Sequence, residues 1–275
     1  MPAQQVSHIL GLPEFKQLVL YTGNVMRTTI VGRNKPQLKK SNTELIYAII
    51  DTIKSSLYQG LPSYRYFSTD SLLEVPDLRH NSIISLDDRD DVEVTAKLFY
   101  LNDDILYPSY VDQSIDLLRK LLNVDFIDTF VLSTPSYSTS NEFYNTWKTL
   151  ESYYEQGTIN HLGVSEFSEE QLSQLLNNTD LHVKPTINQV HYSCCEIPNS
   201  FLSLAKKNNV ELLYTGDCTD ILSQKEFTSL LQTNGILAEN KAISPRWVLK
   251  YDVFVKGRSV VADKGYIVIG DVNSD

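Results

Sequence analysis

Apolar and polar positions follow two periods along this chain, and the two periods take turns. From Val92 onward, short and nearly unbroken apolar runs predict strands buried on both faces. They span Val92 to Tyr100, Phe126 to Leu132, Ile159 to Phe167, Thr186 to Tyr192 and Val210 to Tyr214. Between them, apolar residues return at helical spacing: Val111, Ile115, Leu118 and Leu122, then Phe143, Trp147, Leu150 and Tyr154, then Leu172, Leu175 and Leu176, then Phe201, Leu204 and Ala205. Each set draws a stripe down one helical face. The stretch Gly157 to Pro198 reads most clearly. Ser168, with Gln171 three residues on, is a capping box that opens a helix, and Lys184-Pro185 stops it. Strand, helix and strand in that order make a βαβ unit with parallel strands.

The N-terminal part is less regular. Phe15 to Tyr21 predicts a first strand. Ser41 and Glu44 predict a capping box before a helix striped by Leu45, Ile46, Ile49, Ile50 and Ile53, and Tyr64 to Thr69 predicts a short second strand. Asp70 to Asp91 shows no period, and Asp87, Asp88, Asp90 and Asp91 around Arg89 read as a solvated loop. A helix over about Asp220 to Gln232, then ISPRWVLKYD and a strand Val253 to Val255, close the pattern. About eight strand–helix units have the size and rhythm of a (β/α)8 TIM barrel, an α/β fold. One domain over 1–275 is expected, irregular over 1–91 and ending in a short strand segment over 253–275.

Composition narrows the function. At 275 residues and 42% hydrophobic content the chain can bury a sizeable core, and a net charge of −10 argues against nucleic acid or anionic lipid as partner. No apolar run is long enough for a membrane helix, and the N-terminus lacks the basic start and apolar core of a signal peptide. A cytoplasmic protein is expected. Cys194, Cys195 and Cys218 are odd in number with two adjacent, so no disulfide framework is indicated. The acids do not alternate around a glycine as a calcium loop requires, so no metal site is read. G-x-G-x-x-G, G-x-x-x-x-G-K, G-x-S-x-G and H-E-x-x-H are all missing.

TAKLF, DTFVLSTP, GTINHLGVSEF and NQVHYSCC fall on successive strands, and as a set they resemble the marks of the aldo-keto reductase family. The resemblance implies the barrel and a nicotinamide-dependent carbonyl reduction by Tyr, Lys, Asp and His. A phenol of pKa near 10 gives up its proton at neutral pH only beside a cation. Residue by residue, Lys97 matches the Lys and Ser133 stands where the His belongs. The segment Tyr64 to Thr69 places Ser68 at the Asp and Leu73 at the Tyr. Catalysis is therefore expected to be lost and Lys97 to be vestigial, with Tyr66 and Tyr100 as candidates for a substitute donor. Ser165 and Gln189 match nicotinamide contacts and Tyr214 the stacking tyrosine, while Glu166 replaces an amide. Lys256 and Arg258, in VKGRS, are what is left of the phosphate-binding run. No cofactor is required, although residual NADPH binding stays open.

NQVHYSCCEIP, RWVLKY, VFVKGRSVV and KGYI extend the likeness to a degenerate branch, the modifier subunits of glutamate–cysteine ligase. That resemblance implies a non-catalytic partner of the ligase's catalytic subunit, lowering its apparent Km for glutamate and relieving feedback by glutathione. The alternative is an NADPH-dependent reductase of a small carbonyl. Cys194 and Cys195 are either a partner contact or small buried residues. Tyr251, Lys256, Arg258, Lys264 and Tyr266 are either an exposed partner surface or the last strand and its cover. His161 and His191 read as structural.

Overall fold

The computed structural model describes residues 11–27, 42–59, 61–79, 81–101, 106–135, 141–192, 196–258 and 260–273. In chain order the first elements are β1 (Gln17–Tyr21), α1 (Thr43–Ile53), β2 (Arg65–Phe67), β3 (Leu72–Pro76), β4 (Val92–Tyr100), α2 (Pro108–Leu122), β5 (Ile127–Ser133) and α3 (Asn141–Glu155). They are followed by β6 (Ile159–Ser165), α4 (Glu169–Asn177), β7 (Ile187–Val190), α5 (Asn199–Lys207), β8 (Glu211–Tyr214), α6 (Gln224–Thr233), β9 (Ile243–Val255) and β10 (Val260–Val272). The chain divides into two compact units: residues 1–82, 220–248 and 264–275, and residues 83–219 and 249–263.

In the first unit β1 pairs in parallel with β3, Gln17 opposite Leu72 and Tyr21 opposite Pro76. The other edge of β1 pairs with β10 in antiparallel register, Leu18 opposite Gly270. The strand read at Tyr64 to Thr69 forms only over Arg65–Phe67, as an antiparallel arm on β3. The strand that neighbours β1 as a parallel partner is thus β3, inside the segment that showed no period. Helix α1 buries Leu45, Ile49 and Ile53. Its first turn is preceded by Asn42, whose side chain caps nothing, and Ser41 lies outside the described residues.

The second unit carries the regular pattern. Strands β4 to β8 lie side by side in sequence order and all run parallel. Helices α2 to α5 connect or follow them. Phe130, Val131 and Leu132 on β5 are fully buried, as are Phe143, Trp147 and Leu150 on α3. The capping box at Ser168 and Gln171 forms as read, and Ser223 with Glu226 makes another before α6. Parallel strands alternating with covering helices are the elements of a (β/α)8 barrel type of fold.

The chain's last part departs from the sequence reading. The expected short strand Val253 to Val255 is the end of the 13-residue β9, and β10 is equally long. Along β9, buried and partly exposed residues alternate from Ile243 to Lys250, apart from the run Trp247, Val248 and Leu249. That is the pattern of a strand with one buried face. The turn between β9 and β10 carries Gly257 at φ 72, which a side chain would strain. The acidic segment also differs from a solvated loop. Its acids are exposed, but Arg89 is 8% exposed, pairs with Asp128 at 2.7 Å and lies 3.8 Å from the centre of the Phe126 ring. Among the described residues, no helix is long and apolar enough to cross a membrane, and no His, Cys, Asp and Glu cluster could hold a metal.

Candidate functional site

Register places a row of polar side chains on one face of the second unit's sheet. Lys97 pairs with Val131 and Phe99 with Ser133, and Leu132 pairs with Val164. Ser165 pairs with Gln189. Side chains two apart on a strand share a face, so Lys97, Ser133, Ser165 and Gln189 all point the same way. Except for Lys97, which reaches up from two residues below, they stand at the carboxyl ends of their strands. Ligands gather at those ends in folds built from parallel βα units.

Lys97 is 4% exposed. Its Nζ lies 3.6 Å from Asp217 Oδ2 and donates at 3.4 Å to Thr215 Oγ1, and it sits 4.9 Å from the Phe99 ring centre. Asp217 is held just past β8 by a local turn, in which its backbone N–H donates to Thr215 Oγ1 at 3.2 Å. Both Asp217 oxygens accept from Lys250 Nζ on β9 at 2.9 Å. One aspartate therefore faces two lysines, and Lys250 has the shorter bonds. Burial pushes the Lys97 ammonium down to about 8; the positive charge of Lys250 adds to this, while Asp217 and Glu166 oppose it. The sequence reading missed Asp217 and Lys250. The available signal was chemical: a buried strand lysine requires an acid, and Asp217 is the first acid after Tyr214.

Glu166 follows β6 at φ 64, a left-handed conformation rare for a side chain with Cβ. Its neighbours hold it there. Its N–H donates to Gln189 O at 2.7 Å, and the fully buried Asn188 amide brackets Phe167, donating to its carbonyl at 2.8 Å and accepting from its N–H at 3.3 Å. His191 Nδ1 then lies 2.7 Å from Glu166 Oε1. His191 is thus bound to a site acid, beyond the structural role read from its position. Ser133 Oγ, Ser165 Oγ and Gln189 Oε1 are buried without a hydrogen-bond partner among the described residues. Buried polar atoms are nearly always paired, so these three are unmet hydrogen-bonding capacity at the strand ends.

The other expected residues divide. Tyr214 is 70% exposed at the end of β8. Ser68 is exposed in the first unit, and Leu73 is fully buried there as an apolar strand residue. The residue that follows the strand parallel to β1 is Asp77. Asp77 is buried and accepts from Arg79 Nε at 3.0 Å. Tyr66 and Tyr100 are engaged elsewhere, donating to Glu14 O at 2.9 Å and Tyr107 O at 2.7 Å. Tyr251 and Tyr266 are core residues, 0% and 2% exposed, not the surface aromatics they resembled. The Tyr266 hydroxyl donates to Glu44 Oε1 at 2.6 Å, and Lys264 pairs with the same carboxylate at 2.7 Å. Lys256 and Arg258 are exposed at the β9–β10 turn. Cys194 and Cys195 lie outside the described residues.

Residues 80–216 match the aldo/keto reductase family model. A putative glutamate–cysteine ligase regulatory subunit of Schizosaccharomyces pombe is 27% identical over 93% of this chain and 96% of its own. The glutamate–cysteine ligase regulatory subunit of Rattus norvegicus is 28% identical over 91% of each chain. A solved aldose reductase from Giardia lamblia aligns with 22% identity over 46% of each chain, at a TM-score of 0.39.

The geometry tests whether a dinucleotide fits. Ser165 and Gln189 offer free polar atoms for an amide at the carboxyl ends of β6 and β7. The bases left from the phosphate run are at the other end of the sheet: Lys256 N–H donates to Asp91 O at 2.8 Å, just before β4 begins. A nicotinamide seated at Ser165 would leave its phosphates far from Lys256 and Arg258. The residues present do not fit the whole cofactor.

Proposed function

We propose that this chain is a non-catalytic regulatory subunit of glutamate–cysteine ligase, acting in the cytoplasm as a heterodimer with the catalytic subunit. The carrying observation is length-wide likeness: relatives bearing that name match over nine tenths of both chains. The site supports the same reading. Reduction needs a proton donor beside the lysine, and the side chains that Lys97 Nζ meets are Asp217 and Thr215. Ser133 stands in the histidine's place, and five residues after Asp77, where the family's tyrosine would follow its aspartate, the chain has Ser82. Regulation is then a coupling free energy, in which binding favours the catalytic subunit's glutamate-binding state. The subunit lowers the apparent Km for glutamate and weakens inhibition by glutathione.

The deciding measurement is ligase activity of the catalytic chain at low glutamate, titrated with this protein with and without glutathione. A saturable fall in apparent Km near one-to-one stoichiometry is expected. A flat titration with both proteins folded overturns the reading. The reductase reading draws on Ser165, Gln189, Tyr214 and Lys97 and is opposed by the position of Lys256 and Arg258; quenching of tryptophan fluorescence by NADPH at micromolar concentration would revive it.

A further inference from the structure

We propose that Lys97 is a carbonyl-capturing amine, whose Nζ condenses with a small aldehyde to an imine at the carboxyl ends of β4 to β7. The first ground is the sharing of Asp217. Lys250 occupies both its oxygens at 2.9 Å, which leaves Lys97 with longer contacts at 3.6 and 3.4 Å. A buried ammonium beside a second ammonium is the arrangement that turns a lysine into a nucleophile. Of the two, Lys97 is the more enclosed, its side chain 5% exposed against 17% for Lys250. The charged groups facing it are Asp217, Lys250 and Glu166, the last bound to His191. The amine is consequently held near 8, within reach of neutral pH.

The second ground is the unpaired polar row beside it. Ser133, on the strand next to Lys97 and at the register level of Phe99, offers a hydroxyl with no partner among the described residues, and Ser165 and Gln189 continue that row. A short aldehyde carrying a hydroxyl would satisfy them. The neutral amine forms a C–N bond to the carbonyl carbon. The carbonyl oxygen takes up the two amine hydrogens and leaves as water, and the imine nitrogen, once protonated from solvent, faces Asp217 as the ammonium did. No oxidant or reductant takes part. The idea does not depend on the ligase assignment, and its failure would leave the ligase titration untouched.

The test uses the full chain with glycolaldehyde and cyanoborohydride, which reduces the imine to a stable secondary amine, followed by peptide mapping by mass spectrometry. Lys97 is expected to be labelled at pH 7 ahead of the exposed Lys206 and Lys207. From pH 7 to 9 its rate should rise about tenfold and level off, while surface lysines of pKa near 10.4 rise roughly a hundredfold. Lys250→Met removes a neighbouring cation and frees Asp217, so labelling of Lys97 at pH 7 should fall about tenfold or more and return at higher pH. Lys97→Arg should abolish the adduct while circular dichroism stays unchanged. If Lys97 in the folded wild-type chain is unlabelled while Lys206 and Lys207 react, or if it shares their hundredfold rise, the proposal is wrong.

Discussion

Two buried cations stand on β4 and in the turn just before it, and they are treated in opposite ways. Arg89, before the start of β4, is met by short contacts at both terminal nitrogens: it donates to Val92 O at 2.9 Å and Phe126 O at 3.0 Å, pairs with Asp128 at 2.7 Å and covers the Phe126 ring, with Nε alone buried and unpaired among the described residues. Lys97, further along β4, shares its acid with a second lysine and keeps only long contacts. The first arrangement fastens the amino-terminal edge of the sheet. The second leaves charge imperfectly met at the carboxyl-terminal edge, beside three polar atoms unpaired among the described residues. Parallel βα folds divide labour in this way, with stability at one end of the strands and sites at the other.

That contrast can be broken by substitution. Arg89→Met should be the most damaging change, costing roughly 3 kcal/mol, because it leaves the partly buried Asp128 without its cation; urea denaturation would measure it. Lys97→Met should act in the opposite sense at pH 7, raising stability by about 1–3 kcal/mol, since Asp217 keeps Lys250. If both substitutions cost the same, the two sites are not different in kind. The gain from Lys97→Met carries a pH signature. With its amine held at about 8 when folded and near 10.5 when unfolded, the unfolded chain binds the extra proton between those values. Wild-type stability relative to the variant therefore rises from pH 8 to about 10.5, and the variant's advantage fades across that window. Ser168→Ala should have the smallest effect, about 1 kcal/mol, by removing one side of the capping box that follows Glu166. A loss confined to α4, seen by hydrogen exchange, would separate it from damage to the site.

Most of the second unit was readable because its strands are buried on both faces, so their apolar runs are continuous and their helices striped. The misreadings have physical causes. β3 is five residues long, holds Glu74 and Pro76, and sits in an acid-rich stretch, which hides a strand. β9 contains Pro245 and reads as a loop until its alternating burial is seen. Tyr251 and Tyr266 stood among lysines in sequence, yet both rings point into the core. In the site, Lys97, Ser165 and Gln189 were legible because they sit in strand-end motifs. Asp217 and Lys250 were not, because they reach Lys97 from more than a hundred residues away along the chain.

The pairing of β1 with β10 has a consequence for synthesis. Tyr21 meets Ile267 and Gln17 meets Asp271, so β1 waits for a strand made much later in the chain. On the ribosome β1 emerges with that edge bare, and the first unit cannot finish until β10 has been made. Unpaired edges held open during translation invite pairing with other nascent chains. A messenger truncated before β10 would yield a product in which β1 never finds this neighbour.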